Sequence, residues 1–162
     1  MTAGMSSGTA TVTLPADNQI LITREFDAPR HLVYRAWTTP ELIKRWWGAE
    51  RAEVLSVEVD LRVGGRWRYV SRTYDGFEFG FSGEYREIVE NERLVATEVY
   101  EPVPDHEALN TLTLTQSGGR TRLTILVEHD SRQSRDAHLE SGMEAGMQDA
   151  LTLLERVARS LR

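Results

Sequence analysis

Residues 19–26 read QILITREF, with Ile20, Ile22 and Arg24 alternating against Leu21, Thr23 and Glu25, the period-two pattern of a strand with at least one buried face. The period then lengthens. In DAPRHLVYRAWTTPELIKRWWG, residues 27–48, Leu32, Val33, Ala36 and Trp37 form an apolar stripe at helical spacing, with Asp27 expected as N-cap and Pro29 in the first turn. Thr39 and Pro40 restart the chain and predict a second short helix, capped by Thr39 and ended at Gly48, with Trp46 and Trp47 in its last turn. Over residues 53–128 the period returns to two, interrupted by turn signals at Gly64–Gly65, at Asp75–Gly76, at 90–92 and at Gly118–Gly119. Strands joined by such short connections predict an antiparallel meander. The chain closes with a helix predicted over 132–161, on which Met143, Met147, Ala150, Leu151, Leu154, Val157, Ala158 and Leu161 recur every three or four residues. Arg156, Arg159 and Arg162 near its end complement the helix dipole.

These elements predict an α+β fold: a curved antiparallel sheet of about six to seven strands wrapped around a long C-terminal helix, with two short helices after strand one. Gly80 and Gly83 fall inside a strand pattern, where a sharp bend would be built. A sheet bent that strongly can hold its helix off the concave floor and leave a cavity between them. The first 19 residues, MTAGMSSGTATVTLPADNQ, are rich in small and polar residues and are expected as a flexible tail; TATVTL as a genuine strand is the alternative. Residues 20–162 are expected to form one domain, since 162 residues are too few for two comfortable ones.

Composition narrows function mainly by exclusion. With no cysteine, disulfides, thiol nucleophiles and cysteine metal sites are ruled out. A net charge of −6 and scattered arginines argue against a nucleic-acid or anionic-membrane surface. No apolar run is long enough for membrane insertion, and the N-terminus lacks the pattern of a secretory signal, so a cytoplasmic location is expected. His31, His106, His129 and His138 show no metal spacing, and no nucleophile elbow, phosphate loop or dinucleotide fingerprint occurs. No cofactor is expected. His129 lies between Glu128 and Asp130, which could raise its pKa for proton transfer; a solvated strand end is the plainer reading. Glu84 and Arg86 are expected as an exposed charge pattern opposite Tyr85.

Four stretches carry a family resemblance: ITREFDAPRHLVYRAWTTPELIKRWWG, VDLRVGGRWRYV, FSGEYREIVENERLV and GMEAGMQDALTLLERV, together spanning about residues 20–160. The chain resembles stand-alone relatives of the activator of the heat-shock-protein-90 ATPase, within the START and birch-pollen-allergen superfamily of helix-grip folds. One departure is Met147, which follows Gly146 where many relatives have an aromatic. A flexible thioether there implies a wider or softer pocket. Within that superfamily the resemblance implies hydrophobic-ligand carriers, polyketide cyclases and aromatases, or partners of chaperones, and fold alone does not choose among them.

The candidate cavity residues are aromatic and methionine side chains. Phe77, Phe79, Phe81 and Tyr85 share one strand face, and Trp67 and Tyr69 share another. If these faces are concave, they form an aromatic floor with two phenolic hydroxyls, and Met143, Met147 and Leu151 face it from the helix. The competing reading is a plain hydrophobic core, the usual fate of aromatics at strand spacing. Adjacent helical residues point about 100° apart, so of Trp46 and Trp47 one is expected to anchor the short helices and the other to stand near the cavity entrance. The leading expectation is a non-enzymatic protein that binds a small hydrophobic or aromatic molecule, as monomer or weak homodimer. A cyclase or aromatase, which requires polar groups converging in the cavity, and a chaperone-interacting protein, which requires an exposed docking surface, are the alternatives.

Overall fold

The computed structural model describes residues 9–162. The first eight residues of the expected N-terminal tail lie outside that range. The elements are β1 (Thr11–Thr13), β2 (Gln19–Phe26), α1 (Arg30–Thr38), α2 (Pro40–Ile43), β3 (Ala52–Val59), β4 (Arg66–Thr73), β5 (Glu78–Val89), β6 (Arg93–Tyr100), β7 (Glu107–Ser117), β8 (Arg120–Glu128), α3 (Arg132–Glu140) and α4 (Met143–Ser160). All strands join one antiparallel sheet in the order β1-β2-β8-β7-β6-β5-β4-β3.

The sheet has eight strands, against the six to seven expected. The extra one is β1, the genuine-strand alternative for TATVTL: Val12 pairs with Ile22, and Ala10 is buried, its N–H and C=O bonded to the Gln148 side chain at 2.9 Å each. Residues 10–13 are thus tied to β2 by strand pairing and to α4 by the Gln148 side chain, satisfying backbone groups that a flexible tail would leave to water.

Alternation along β2 buries Ile20, Ile22, Arg24 and Phe26. Strand pairing places them beside Val127, Ile125, Leu123 and Thr121 of β8. Leu112 and Leu114 of β7 and Leu94 of β6 continue the same concave face. The expected turns form where the backbone requires positive φ, at Gly76 (99°), Asn91 (66°) and Gly118 (62°). The connection at Gly64 and Gly65 is longer than a tight hairpin, spanning residues 60–65. Gly64 N–H donates to the Tyr85 carbonyl and Tyr85 N–H to the Gly65 carbonyl, both at 2.9 Å, which ties the loop to β5.

At Gly83 of β5 the β6 backbone and the Trp67 indole come close. A Cβ there would lie 1.8 Å from the Thr97 carbonyl oxygen and 2.7 Å from Trp67 Nε1. The β5–β6 ladder is interrupted at that point: Thr97 Oγ1 accepts from Glu84 N–H at 2.9 Å, and the Thr97 carbonyl accepts from the Trp67 indole at 3.2 Å. Only glycine lets the indole and the neighbouring backbone approach this closely.

The last helix and the start of α1 differ from expectation. The predicted helix over 132–161 is two helices, α3 and α4, broken at Gly142, whose φ is 82°. A left-handed residue cannot continue a right-handed helix. α3 instead has its own N-cap, Ser131, whose hydroxyl accepts from Ser134 N–H at 3.0 Å. At the start of α1, Pro29 rather than Asp27 holds the N-cap position, and Arg30 N–H is satisfied by Gln116 Oε1 at 2.9 Å. The Asp27 carboxylate lies instead between Arg120, Arg159 and Arg162, 3.6–3.9 Å away.

Burial along α4 is graded. Leu151, Leu154, Val157 and Ala158 are buried, whereas Met143, Met147 and Ala150 are only partly so. The C-terminal half therefore closes on the sheet. The N-terminal half stands off it, and a cavity opens beneath.

Candidate functional site

That cavity has a volume of about 350 Å³ and is lined by the concave sides of β2 and β4–β8, by α1, by the turns after α2, and by α3 and α4. Nine of the ten residues expected at a cavity border it: Trp46, Trp47, Trp67, Tyr69, Phe81, Tyr85, Met143, Met147 and Leu151. Phe79 does not. It shares strand parity with Phe81 but lies two residues nearer the rim, packed against Phe77, Phe81 and Tyr100 with ring centroids 5.9, 6.1 and 6.2 Å away. Phe77 precedes β5 and is exposed.

Trp46 and Trp47 do not sit in a helical last turn, because α2 ends at Ile43 and a run of turns carries both residues. Their rings diverge at 72°. Trp46 is 2% exposed and its indole N–H donates to the Ala36 carbonyl at 3.0 Å, tying this segment to α1. Trp47 is half-buried and meets Tyr69 and Phe81 edge-on at 4.9 and 5.6 Å. Trp46 is therefore the anchor, and Trp47 belongs to the aromatic wall. Beyond Gly48, Ala49 and Glu50 have φ of 54° and 61°, the tight reversal into β3.

Polar groups also reach this space. Tyr69 and Tyr85 are buried, and burial is the main cause that pushes both phenols up, Tyr69 strongly. Glu98, Asn110 and His138 line the same cavity. Burial raises the Glu98 carboxyl, partly offset by the Asn110 side chain, and what exposure Glu98 keeps is to the cavity. His138 is pushed down to about 4, first by burial and then by His129, whose Nε2 lies 3.0 Å from His138 Nδ1. Burial lowers His129 as well, opposite to the rise expected from Glu128 and Asp130. It is half-buried against His138 and is not a solvated strand end.

Phe81, Glu98, His138 and Met143 border a second, adjoining chamber of about 560 Å³, which opens between α3 and the β6–β7 end of the sheet. His106, His129 and Ser134 line this outer space. His106 Nδ1 lies 2.7 Å from Asp130 Oδ2 and 3.3 Å from Ser134 Oγ. One ring nitrogen thus meets both groups, unlike a nucleophilic triad, which uses the two ring nitrogens separately. Among the described residues no three His, Asp or Glu side chains gather as a metal site. Glu84 and Arg86 pair at 2.9 Å on the outer face.

Glu98 and Asn110 were missing from the sequence-based candidates. For Asn110 a signal existed, since it shares parity with Leu112 and Leu114, while Thr111 and Thr113 hold the other face. For Glu98 it did not. In RLVATEVY both parities are apolar, so the concave face was undetermined.

A family model described as Activator of Hsp90 ATPase homolog 1-like protein matches residues 27–159. Among solved structures, a protein from Rhodobacter sphaeroides superposes with a TM-score of 0.87 at 24% identity, covering 94% of this chain and 99% of its own. A protein from Nitrosomonas europaea gives 0.82 at 29% identity, with 91% and 97% covered. An AHSA1-like protein from Aeromonas hydrophila gives 0.65 at 25% identity, with 87% and 93% covered. No curated protein matches the chain.

Proposed function

The chain belongs to the Activator of Hsp90 ATPase homolog 1-like family, and from that premise we propose that it is a non-enzymatic binding protein for a small hydrophobic or aromatic molecule, held between the curved sheet and α4. The observation that carries the reading is the cavity. Its volume of about 350 Å³ exceeds the lower end of the roughly 300–1,000 Å³ typical of ligand pockets. Its wall is built from the faces of Trp47, Trp67, Tyr69, Phe81, Met143 and Met147. Close-packed interiors leave few voids larger than a water, so an apolar space of this size is a destination rather than a packing defect. Family membership supports the same reading, because this fold commonly houses hydrophobic ligands. Titration with N-phenyl-1-naphthylamine tests it: one saturable site with blue-shifted emission is expected, and the absence of a saturable site refutes it.

A second reading, a cyclase or aromatase-like enzyme on a polyketide-like substrate, is favoured by one observation. Tyr69, Tyr85, Glu98 and His138 converge on the cavity, as proton transfer on a folded reactive chain requires. Incubation with a poly-β-ketone thioester mimic discriminates: cyclisation faster than in buffer and lost in Glu98→Gln supports catalysis, and an unchanged rate leaves the binding reading.

A further inference from the structure

We propose that Glu98 is the polar subsite of the cavity, selecting among apolar ligands those that present a hydrogen-bond donor at the neck between the two chambers. This rests on the binding reading above and adds the chemistry of what is bound. Glu98 borders both chambers, together with Phe81, His138 and Met143, so its carboxyl lies where the outer space adjoins the aromatic floor.

The surroundings leave room for a ligand atom rather than a protein partner. Ala108 of β7 is the registered neighbour of Glu98, and Ala96 lies two residues along β6 on the same face. On the β5 side, the flanking pairs Ser82 with Val99 and Tyr85 with Ala96 bring Gly83 opposite. Three of the smallest side chains thus surround one of the longer acidic ones. The side chain acting on Glu98 is Asn110, an amide and not a cation, and Asn110 Oδ1 is itself without a hydrogen-bond partner. His138 supplies no positive charge near neutrality. Asn110 gives the carboxyl one neutral hydrogen bond, and a carboxyl largely removed from water with its other lone pairs unmatched is unfavourable. A ligand hydroxyl or protonated amine removes that penalty, whereas an ether leaves it and a carboxylate adds repulsion. The rings of Trp47 and Phe81 suit the flat apolar body that would carry the donor, and they also attract a cation.

Four naphthalene probes of one shape separate these cases by equilibrium dialysis: 2-naphthol, 2-naphthylmethylamine, 2-methoxynaphthalene and 2-naphthoate. The expected order places naphthol and the amine about tenfold or more above the methyl ether, a difference of about 1.4 kcal/mol, with naphthoate weakest. Glu98→Leu should remove the preference while leaving the ether within about twofold of wild type. Glu98→Gln, nearly isosteric, should keep the hydroxyl preference and lose the additional attraction for the amine. Equal binding of naphthol and the ether by the wild type, or a preference that survives in Glu98→Leu, overturns the subsite while leaving the binding reading intact. Failure of all four probes to bind overturns both.

Discussion

Replacing Trp46 and Trp47 singly by alanine separates two neighbours that the sequence places side by side. Trp46 is 2% exposed, and its removal also leaves the Ala36 carbonyl without its 3.0 Å donor. A fully buried tryptophan truncated to alanine destabilises by about 3–5 kcal/mol. In a chain of this length each kcal/mol corresponds to roughly 2–4 °C in Tm, so a fall of about 6–20 °C is expected. Trp47 is half-buried, and its main losses are the edge contacts to Trp46, Tyr69 and Phe81. At about 0.5–1.5 kcal/mol for each of these three aromatic pairs, its variant loses about 1.5–4.5 kcal/mol. The affinity for an aromatic probe should also fall roughly fivefold, as expected when about 1 kcal/mol of ring contact is lost. Urea unfolding followed by circular dichroism, with N-phenyl-1-naphthylamine titration of both variants well below their midpoints, gives the two quantities independently. Equal stability losses with equal affinities would return both tryptophans to a common packing role and refute the division.

The other expectations follow from the close approach at Gly83, from the buried titrating pair and from the buried charge. Gly83→Ala places a Cβ 1.8 Å from the Thr97 oxygen, so it should destabilise by about 2 kcal/mol or more; Gly146→Ala, whose Cβ would meet only Arg51 Cδ at 4.0 Å, should stabilise α4 by up to about 1 kcal/mol, and thermal unfolding compares them. His138 is held near 4 in the folded chain and reverts to about 6.5 when unfolded, so the unfolded state binds the extra proton between those values. Stability should then decline as pH falls from about 6.5 towards 4, and His138→Gln should flatten this limb; an NMR titration of His138 with a midpoint near 6.5 would contradict it. Glu155 faces the wholly buried Arg24 at 3.5 Å and accepts Asp27 N–H at 2.7 Å. Glu155→Ala should destabilise by about 3–5 kcal/mol, and the double variant Arg24→Met/Glu155→Leu should regain most of it; a double variant no more stable than the single would contradict this in urea unfolding.

The turns were legible because each needs a residue that accepts positive φ, and Gly76, Asn91 and Gly118 supply it. Gly83 was legible for a similar reason: a glycine inside a strand marks a close approach, here of the Trp67 indole. The break in the last helix was also written in the chain, since the apolar stripe begins at Met143, immediately after Gly142, while 132–140 is polar. What hid it was the continuation of helix-compatible residues on both sides. The aromatic half of the cavity wall could be named from strand parity. Its polar half required three-dimensional pairing, because only the registers of β6 with β5 and β7 reveal that Glu98 sits among Gly83, Ala96 and Ala108. Asp27 misled for a local reason, as its carboxylate answers to three distant arginines rather than to the helix beside it.

The most direct test of the binding account is an NMR map of where an apolar probe contacts the protein, using intermolecular NOEs from N-phenyl-1-naphthylamine at saturation. Contacts to the Met143 and Met147 methyls and to the indoles of Trp47 and Trp67 are expected. Contacts confined to the exposed rim, at Tyr74, Phe77 and Val103, with none inside, would contradict it.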